Sequence, residues 1–105
     1  MGEWHRLASV SDVREGEAFP ADLDGIAIAL YRVNGRIHAV DDTCTHEFAL
    51  LSQGFVEDGV VECPLHAAQF DIATGRCLSG PATQDLPTYE VRIEGDDVYV
   101  RAPER

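Results

Sequence analysis

Two short stretches of the chain carry the residue types that bind transition metals. The first is Cys44-Thr45-His46, and the second, after a gap of 16 residues, is Cys63-Pro64-Leu65-His66. Thiolates bind iron–sulfur clusters, zinc or copper, and imidazole binds iron and zinc. Two cysteines and two histidines therefore suit either a tetrahedral zinc site or a two-iron, two-sulfide cluster with cysteine on one iron and histidine on the other.

The spacing within each stretch favours the two-iron site. Cys44 and His46 are two residues apart, so an extended backbone points both side chains to one side. Cys63 and His66 are three apart, and a turn that contains Pro64 also brings both side chains together. The loops are thus predicted to be near mirror images, each giving one ligand to each iron. Zinc sites more often pair like ligands within one stretch, so zinc is the alternative.

The length and composition predict a single soluble domain. The chain has 105 residues, of which 45% are hydrophobic and 26% are charged, as in ordinary globular domains. We expect one domain over residues 1–105. No apolar run approaches the ~18 residues of a membrane span, and Met1-Gly2-Glu3-Trp4 lacks the pattern of a signal peptide. We therefore expect a cytoplasmic protein that is not bound to a membrane.

The charge balance restricts the classes of partner. The net charge is −11, from 19 acidic and 8 basic residues. Nucleic acid is not expected as a partner, because binding it requires a basic face. An acidic surface instead steers a protein onto basic partners.

Paired carboxylates and a third cysteine are also chemically reactive groups in this sequence. The carboxylate pairs Asp41-Asp42 and Asp96-Asp97 occur in predicted turns, where they are expected to be solvated. Cys77 has no partner for a disulfide if Cys44 and Cys63 bind metal, which agrees with a reducing compartment. We expect Cys77 to be a small buried thiol, with a third ligand or a redox role as the alternative. No catalytic residue is predicted.

Many short strands with frequent turn signals predict an all-β sandwich or barrel. The strongest signal is a hairpin in which Asn34-Gly35 joins Ile26–Val33 to residues 36–40, because both turn residues adopt positive φ readily. A second hairpin is predicted about Asp58-Gly59. Residues from about 41 to 72 are predicted to form a small cluster-binding subdomain inserted in the scaffold.

Three less regular stretches also carry predictions. Pro20 is expected to break the extended piece over residues 17–23. Residues 78–87 are expected to be irregular. The alternation of Tyr-Glu-Val-Arg-Ile predicts one strand over residues 89–93.

The ligand spacing and its context resemble the Rieske [2Fe-2S] pattern. The resemblance continues beyond the ligands through Leu51-Ser52-x-Gly54, Phe70-Asp71-x2-Thr74-Gly75, Pro81-Ala82, Leu86, Tyr89-x-Val91 and Val98-x-Val100. It covers nearly the whole chain. The sequence resembles in particular the small Rieske-type ferredoxins of bacterial aromatic-ring dioxygenase systems.

This resemblance implies three stacked antiparallel sheets with the cluster at the tip of the small subdomain. It also implies that Cys44 and Cys63 bind the buried iron, that His46 and His66 bind the outer iron, and that Gly80-Pro81 belongs to a loop that shields the cluster. The cofactor would be one Rieske-type [2Fe-2S] cluster.

The implied function is one-electron transfer and not catalysis. The carrier would take electrons from a flavin-containing, NAD(P)H-dependent ferredoxin reductase and pass them to a terminal Rieske non-haem iron dioxygenase. One alternative is a Rieske small subunit of a larger oxidoreductase such as nitrite reductase. The other is a zinc-binding interaction module.

Departures from the Rieske patterns that the sequence resembles predict a low midpoint potential. Respiratory members carry an extra cysteine in each ligand loop, forming a disulfide, whereas this chain has Glu47-Phe48-Ala49 and Ala67-Ala68 after its two histidines. High-potential members place a serine hydroxyl in the region where this chain has Ala68. Because losing hydrogen bonds to the sulfurs lowers the potential, we predict the lower end of the roughly −150 to +300 mV range of such centres.

Overall fold

The computed structural model describes residues 2–44, 49–65, 68–79 and 84–103. Their regular elements are short strands and two 3-10 helices, Val10–Asp12 and Leu51–Gln53. The strands are β1 Trp4–Ser9, β2 Ala18–Leu23, β3 Ile26–Val33, β4 Arg36–Asp41, β5 Phe55–Glu57, β6 Val60–Glu62, β7 Gln69–Asp71, β8 Cys77–Ser79, β9 Thr88–Tyr89, β10 Val91–Glu94 and β11 Asp97–Arg101. No helix in this described part of the chain has the length and apolarity that a bilayer span needs.

The strands form three sheets in which the paired strands are antiparallel. The first sheet has the order β1-β11-β10, the second β2-β3-β4-β9 and the third β5-β6-β7-β8. The prediction of an all-β fold with stacked antiparallel sheets is confirmed.

The second sheet is the middle layer, because its longest strand is buried on both faces. Ile28 and Leu30 of β3 belong to the core shared with the first sheet. Ala29 and Tyr31 belong to the core shared with the third sheet. All four side chains are fully buried. This is why β3 reads as a continuous apolar run and not as an alternating one.

Three of the two-residue hairpin turns among the described residues share one geometry, which fixes the register of their strands. Asp24-Gly25, Asn34-Gly35 and Asp58-Gly59 have φ values of 52° and 90°, 51° and 81°, and 50° and 76°. Positive φ at both central residues is the type I′ geometry, whose twist matches that of the flanking strands. The two hairpins predicted from Asn34-Gly35 and Asp58-Gly59 are confirmed.

The structure contradicts the predictions for the less regular stretches. β2 continues through Pro20, since β2 is an edge strand and proline is tolerated where no donor to a neighbouring strand is required. The strand predicted over residues 89–93 is divided, because β9 pairs with β4 and β10 pairs with β11. β8 begins at Cys77 and extends into the region expected to be irregular.

The third sheet is the layer next to the predicted ligands. It is built from residues 55–79, and Cys63 directly follows β6. The single domain over residues 1–105 and the ligand-bearing subdomain over about 41–72 stay predictions.

Gly54 is required where the chain enters the third sheet. A Cβ atom at Gly54 would lie 2.0 Å from the carbonyl oxygen of Glu62 and 3.2 Å from that of Leu51. Because both contacts are backbone atoms, we predict that Gly54→Ala lowers the free energy of unfolding by about 3 kcal/mol. Thermal unfolding followed by circular dichroism measures this loss.

Gly25→Ala is the matched control. Gly25 has a φ of +90°, but nothing lies within 4 Å of an added Cβ, so only backbone strain of about 1 kcal/mol is expected. Equal losses for the two variants would contradict the steric argument at Gly54.

Candidate metal centre

The two predicted ligand loops close in the same way at their described ends. The backbone N–H of Cys44 donates to the carbonyl oxygen of Ala49 at 2.9 Å, and that of Cys63 donates to the carbonyl oxygen of Ala68 at 2.8 Å. Each bond joins a cysteine to the residue five positions later. Each cysteine therefore begins a loop of the same length.

The residues that flank each loop in the chain pair with each other as in an antiparallel sheet. Thr43 forms an antiparallel bridge with Leu50, and Glu62 pairs with Gln69 between β6 and β7. Both loops are thus the tips of two-stranded antiparallel ribbons, and the two cysteines occupy equivalent positions on them. The two loops are therefore alike at their described ends, and the expectation that each gives one ligand to each iron stays a prediction.

The two cysteines lie in one buried apolar environment. Cys44 is 4% exposed and Cys63 is 1% exposed, and both belong to the core between the second and third sheets. All three cysteines are in the described part of the chain, and none of them is disulfide-bonded. Two thiols held at equivalent buried positions fit a soft metal centre, because a thiolate in apolar surroundings is unfavourable unless a cation is bound to it.

His46 and His66, the other two predicted ligands, lie outside the described residues, as does the predicted shielding segment Gly80-Pro81. Among the described residues, no group of three or more His, Cys, Asp and Glu side chains is placed to hold a metal ion. The ligand set Cys44, His46, Cys63 and His66 therefore stays a prediction, which the matched loops support.

Asp42 anchors the first loop, contrary to the expectation that it is solvated. Asp42 is 2% exposed, and its two carboxylate oxygens accept hydrogen bonds from the N–H and the hydroxyl of Ser52, each at 2.7 Å. Its carbonyl oxygen accepts the N–H of Leu51 at 2.7 Å. These bonds tie the end of β4 to the 3-10 helix that follows the loop. The sequence signal for this contact, a serine ten residues away, is too weak to be read from periodicity.

Asp41 also departs from the expectation, since it is half-buried beside β9. Its Oδ1 atom accepts a hydrogen bond from the Tyr89 hydroxyl at 3.0 Å. Burial raises the pKa of Asp41, the hydrogen bond from Tyr89 opposes that rise, and the charge of Asp42 adds to it. Burial and the hydrogen bond to Asp41 raise the pKa of Tyr89.

The second predicted acidic pair is closer to expectation. Asp96 is exposed, and the partly exposed Asp97 forms an ion pair with Arg6 at 2.8 Å.

Tyr31 is a buried polar group that sequence reasoning missed. It lies in the same core as the two cysteines, and its hydroxyl has no hydrogen-bond partner among the described residues. Burial raises the pKa of Tyr31, and the charge of Asp42 adds to the effect. The phenol is therefore neutral at physiological pH.

Cys77 is half-buried and not fully buried as expected. Its backbone N–H donates to Asp85 Oδ1 at 2.8 Å, and its Sγ atom lies 4.0 Å from the carbonyl oxygen of Ser79. Its side chain packs against the edge of the core that contains Cys44 and Cys63.

Comparison with known families identifies the kind of centre. The model of the Rieske [2Fe-2S] domain matches residues 3–90. The chain belongs to the Rieske [2Fe-2S] domain family. Its cofactor is a Rieske-type [2Fe-2S] cluster, as the mixed Cys/His spacing predicted, and the buried thiols of this Rieske domain fit that group.

Curated relatives of this Rieske domain resemble it over most of their length. The ferredoxin component of the naphthalene 1,2-dioxygenase system of Pseudomonas aeruginosa is 42% identical over 98 residues, which are 93% of this chain and 94% of the relative. The 3-phenylpropionate/cinnamic acid dioxygenase ferredoxin subunit of Escherichia coli (strain K12) is 48% identical over 96 residues, 90% of each chain.

Solved structures share the fold of this Rieske domain. The ferredoxin of Sphingomonas yanoikuyae B1 has a TM-score of 0.91 and 35% identity, covering 96% of this chain and all of the other. A chain in a complex of reduced oxygenase and oxidized ferredoxin in carbazole 1,9a-dioxygenase has a TM-score of 0.90 and 35% identity over 97% and 95%. A putative NADH-dependent nitrite reductase small subunit from Mycobacterium tuberculosis has a TM-score of 0.86 and 25% identity over 100% and 99%.

Single substitutions at the cysteines test the ligand set. We predict that Cys44→Ser and Cys63→Ser each reduce iron per chain by more than about tenfold, because removing a ligand costs more than removing an outer contact to one. Cys77→Ser is the matched control and retains the iron and acid-labile sulfide of the wild type. Elemental analysis and the visible spectrum report both quantities, and loss of the cluster from the Cys77 variant alone would contradict the assignment.

Proposed function

We propose that this Rieske protein is a one-electron carrier that passes electrons to the terminal oxygenase of an aromatic-ring dioxygenase system. The observation that carries this proposal is similarity, over at least 90% of both chains, to two proteins named as ferredoxin components of such systems. A similar chain occurs in a complex of a ferredoxin with an oxygenase. The protein is thus a component of a multicomponent oxygenase and not the catalyst.

The described residues suit this role by holding and insulating the site. When bound, the cluster takes up and releases a single electron. Cys44 and Cys63, the proposed ligands of the inner iron, lie in a core from which water is excluded. His46 and His66 are the proposed ligands of the outer iron. Leu65 in the second loop is 58% exposed, so an apolar side chain lies beside that proposed route to partners.

The proposed electron donor is a flavin-containing, NAD(P)H-dependent ferredoxin reductase, and the proposed compartment is the cytoplasm. A dioxygenase turnover needs two electrons, so a one-electron carrier must dock and leave twice. Fast, weak docking is favoured when the partners carry opposite charge. The net charge of −11 therefore supports partners with basic docking faces.

A second candidate is a Rieske small subunit that stays bound within a larger enzyme. The similarity to the nitrite reductase small subunit favours it, but at 25% identity this likeness is weaker than those to the ferredoxins. Co-purification of the untagged chain with one fixed catalytic subunit would favour this second function over a free carrier.

Electron counting tests the carrier function. We expect an anaerobic reductive titration to consume one electron per chain and to develop a rhombic EPR signal as the visible absorbance falls. The reduced protein should then reoxidise when a terminal oxygenase of a dioxygenase system is added. A colourless preparation that contains zinc and no acid-labile sulfide would exclude the function.

The midpoint potential tests the interpretation of the second loop. Ala68 is fully buried and its carbonyl oxygen accepts the N–H of Cys63, but its side chain offers no hydroxyl. We therefore expect a midpoint below about +100 mV, measured by redox titration of the visible spectrum. A higher value would mean that another group donates hydrogen bonds to the sulfurs.

A further inference from the structure

The outer face of the third sheet combines an exposed aromatic side chain with carboxylates. Phe55 is 66% exposed on the edge strand β5. The depression beside it, of about 340 Å³, is lined by Phe55, Glu57, Asp58, Val60, Glu62 and Gln69, which we call the Phe55 face. We propose that the Phe55 face is a docking surface for a redox protein that presents a basic rim around an apolar contact. This proposal rests on the electron-carrier function.

Charge is divided unevenly between the two outer layers of the molecule. The strands and turns of the third sheet, residues 55–79, carry one arginine, Arg76, and four carboxylates, which are Glu57, Asp58, Glu62 and Asp71. On the first sheet, by contrast, arginines neutralise carboxylates through the pairs Arg6–Asp97, Arg92–Glu94 and Arg101–Glu90. The third sheet is therefore the layer that attracts a basic protein surface.

The neighbours of Phe55 matter more than its exposure alone. Single exposed apolar side chains are common on soluble proteins. Phe55 pairs with Glu62, and Glu62 pairs with Gln69 on the next strand. The three residues therefore form one row across the sheet, with the aromatic ring at its edge and a carboxylate beside it. Aromatic anchors surrounded by polar residues are typical of the energetically important parts of protein interfaces.

Side-chain hydrogen bonds hold this row in place. The hydroxyl of Ser79 donates to Gln69 Oε1 at 3.0 Å, and Gln69 Nε2 donates to Glu62 Oε1 at 3.1 Å. The second oxygen of Glu62 takes no part in this chain of bonds. An ordered carboxylate loses less side-chain freedom when a partner binds it, which lowers the cost of docking.

The row also lies next to the second ligand loop. Glu62 directly precedes Cys63, and Gln69 directly follows Ala68, whose carbonyl oxygen closes the loop. A protein seated on the Phe55 face is therefore one residue along the chain from a proposed ligand of the inner iron. Such a partner protein approaches the second ligand loop from the outer face of the third sheet.

A second copy of the same chain is a poor occupant of this face. Glu57, Asp58 and Glu62 would bring like charges together if two such faces met, and like charges across an interface oppose association. The occupant that fits is a different protein with lysine or arginine around its contact.

The rate of electron transfer to a basic probe tests the proposal. Ferric cytochrome c, a small basic haem protein, is mixed with the reduced cluster-containing protein in a stopped-flow instrument at low ionic strength. We expect Phe55→Ala and the double variant Glu57→Gln/Glu62→Gln each to lower the second-order rate constant by about three- to tenfold. High salt should abolish the effect of the double variant, because it screens charges, and should leave the effect of Phe55→Ala.

Ile93→Ala and the double variant Glu90→Gln/Glu94→Gln are the matched controls, since they remove an exposed apolar side chain and two carboxylates at the first sheet, where Ile93 is 46% exposed. We expect each to retain the wild-type rate constant. Midpoint potentials and iron content are measured for every variant, so that a changed driving force is not mistaken for changed docking. Unchanged rates in the Phe55-face variants, or equal losses in the controls, would overturn the proposal.

Carbodiimide cross-linking locates the contact directly. The chain has no lysine, so cross-links between carboxylates and lysine amines report the partner and not a second copy. We expect cross-links from cytochrome c to Glu57, Asp58 or Glu62, and sedimentation that shows no self-association through this face. Cross-links that map elsewhere, or a dimer that Phe55→Ala dissociates, would refute the proposal.

The two proposals fail in different ways. If the wild-type protein holds no cluster or does not reduce the probe, the electron-carrier function fails. If the wild-type protein transfers electrons to cytochrome c and the Phe55-face variants do so with the same rate constant, the docking proposal alone fails.

Discussion

The two backbone hydrogen bonds from Cys44 to Ala49 and from Cys63 to Ala68 are the constraint on which the site depends. They close two loops of equal length at the ends of antiparallel ribbons, so that two distant parts of the chain present a thiol at equivalent positions. A metal centre shared between loops needs this equivalence, because its ligand geometry tolerates little displacement. The hydrogen bonds are made by the backbone and require only that the flanking strands keep their register.

The rest of the fold maintains that register. β3 is buried on both faces, because the first sheet packs against one face and the third sheet packs against the other. Asp42 joins the end of β4 to the 3-10 helix beyond the first loop through Ser52. A charged side chain inside a protein is favourable only when hydrogen bonds replace its solvation, and the two bonds from Ser52 provide that. The first loop is therefore held from both of its ends.

The division of charge between the outer layers agrees with transient electron transfer. Arginine–carboxylate pairs occupy the first sheet, whereas residues 55–79 of the third sheet carry four carboxylates and a single arginine. An acidic layer next to the second ligand loop raises the rate of encounter with a basic protein without requiring a tight complex. A carrier that must be released after each electron benefits from this combination.

The sequence by itself determined the kind of chemistry and the local β structure. Metal-ligand chemistry depends on residue type and spacing, so the Cys/His stretches favoured a two-iron, two-sulfide site over zinc, and the resemblance beyond the ligands predicted the Rieske cluster. The hairpins at Asn34-Gly35 and Asp58-Gly59 were predictable because their turns require positive φ. Only the tertiary structure decided that Asp42 is buried, that β2 passes through Pro20 on a sheet edge, and that the chain changes sheets at Glu90. These outcomes depend on contacts between residues far apart in the chain, which local periodicity does not encode.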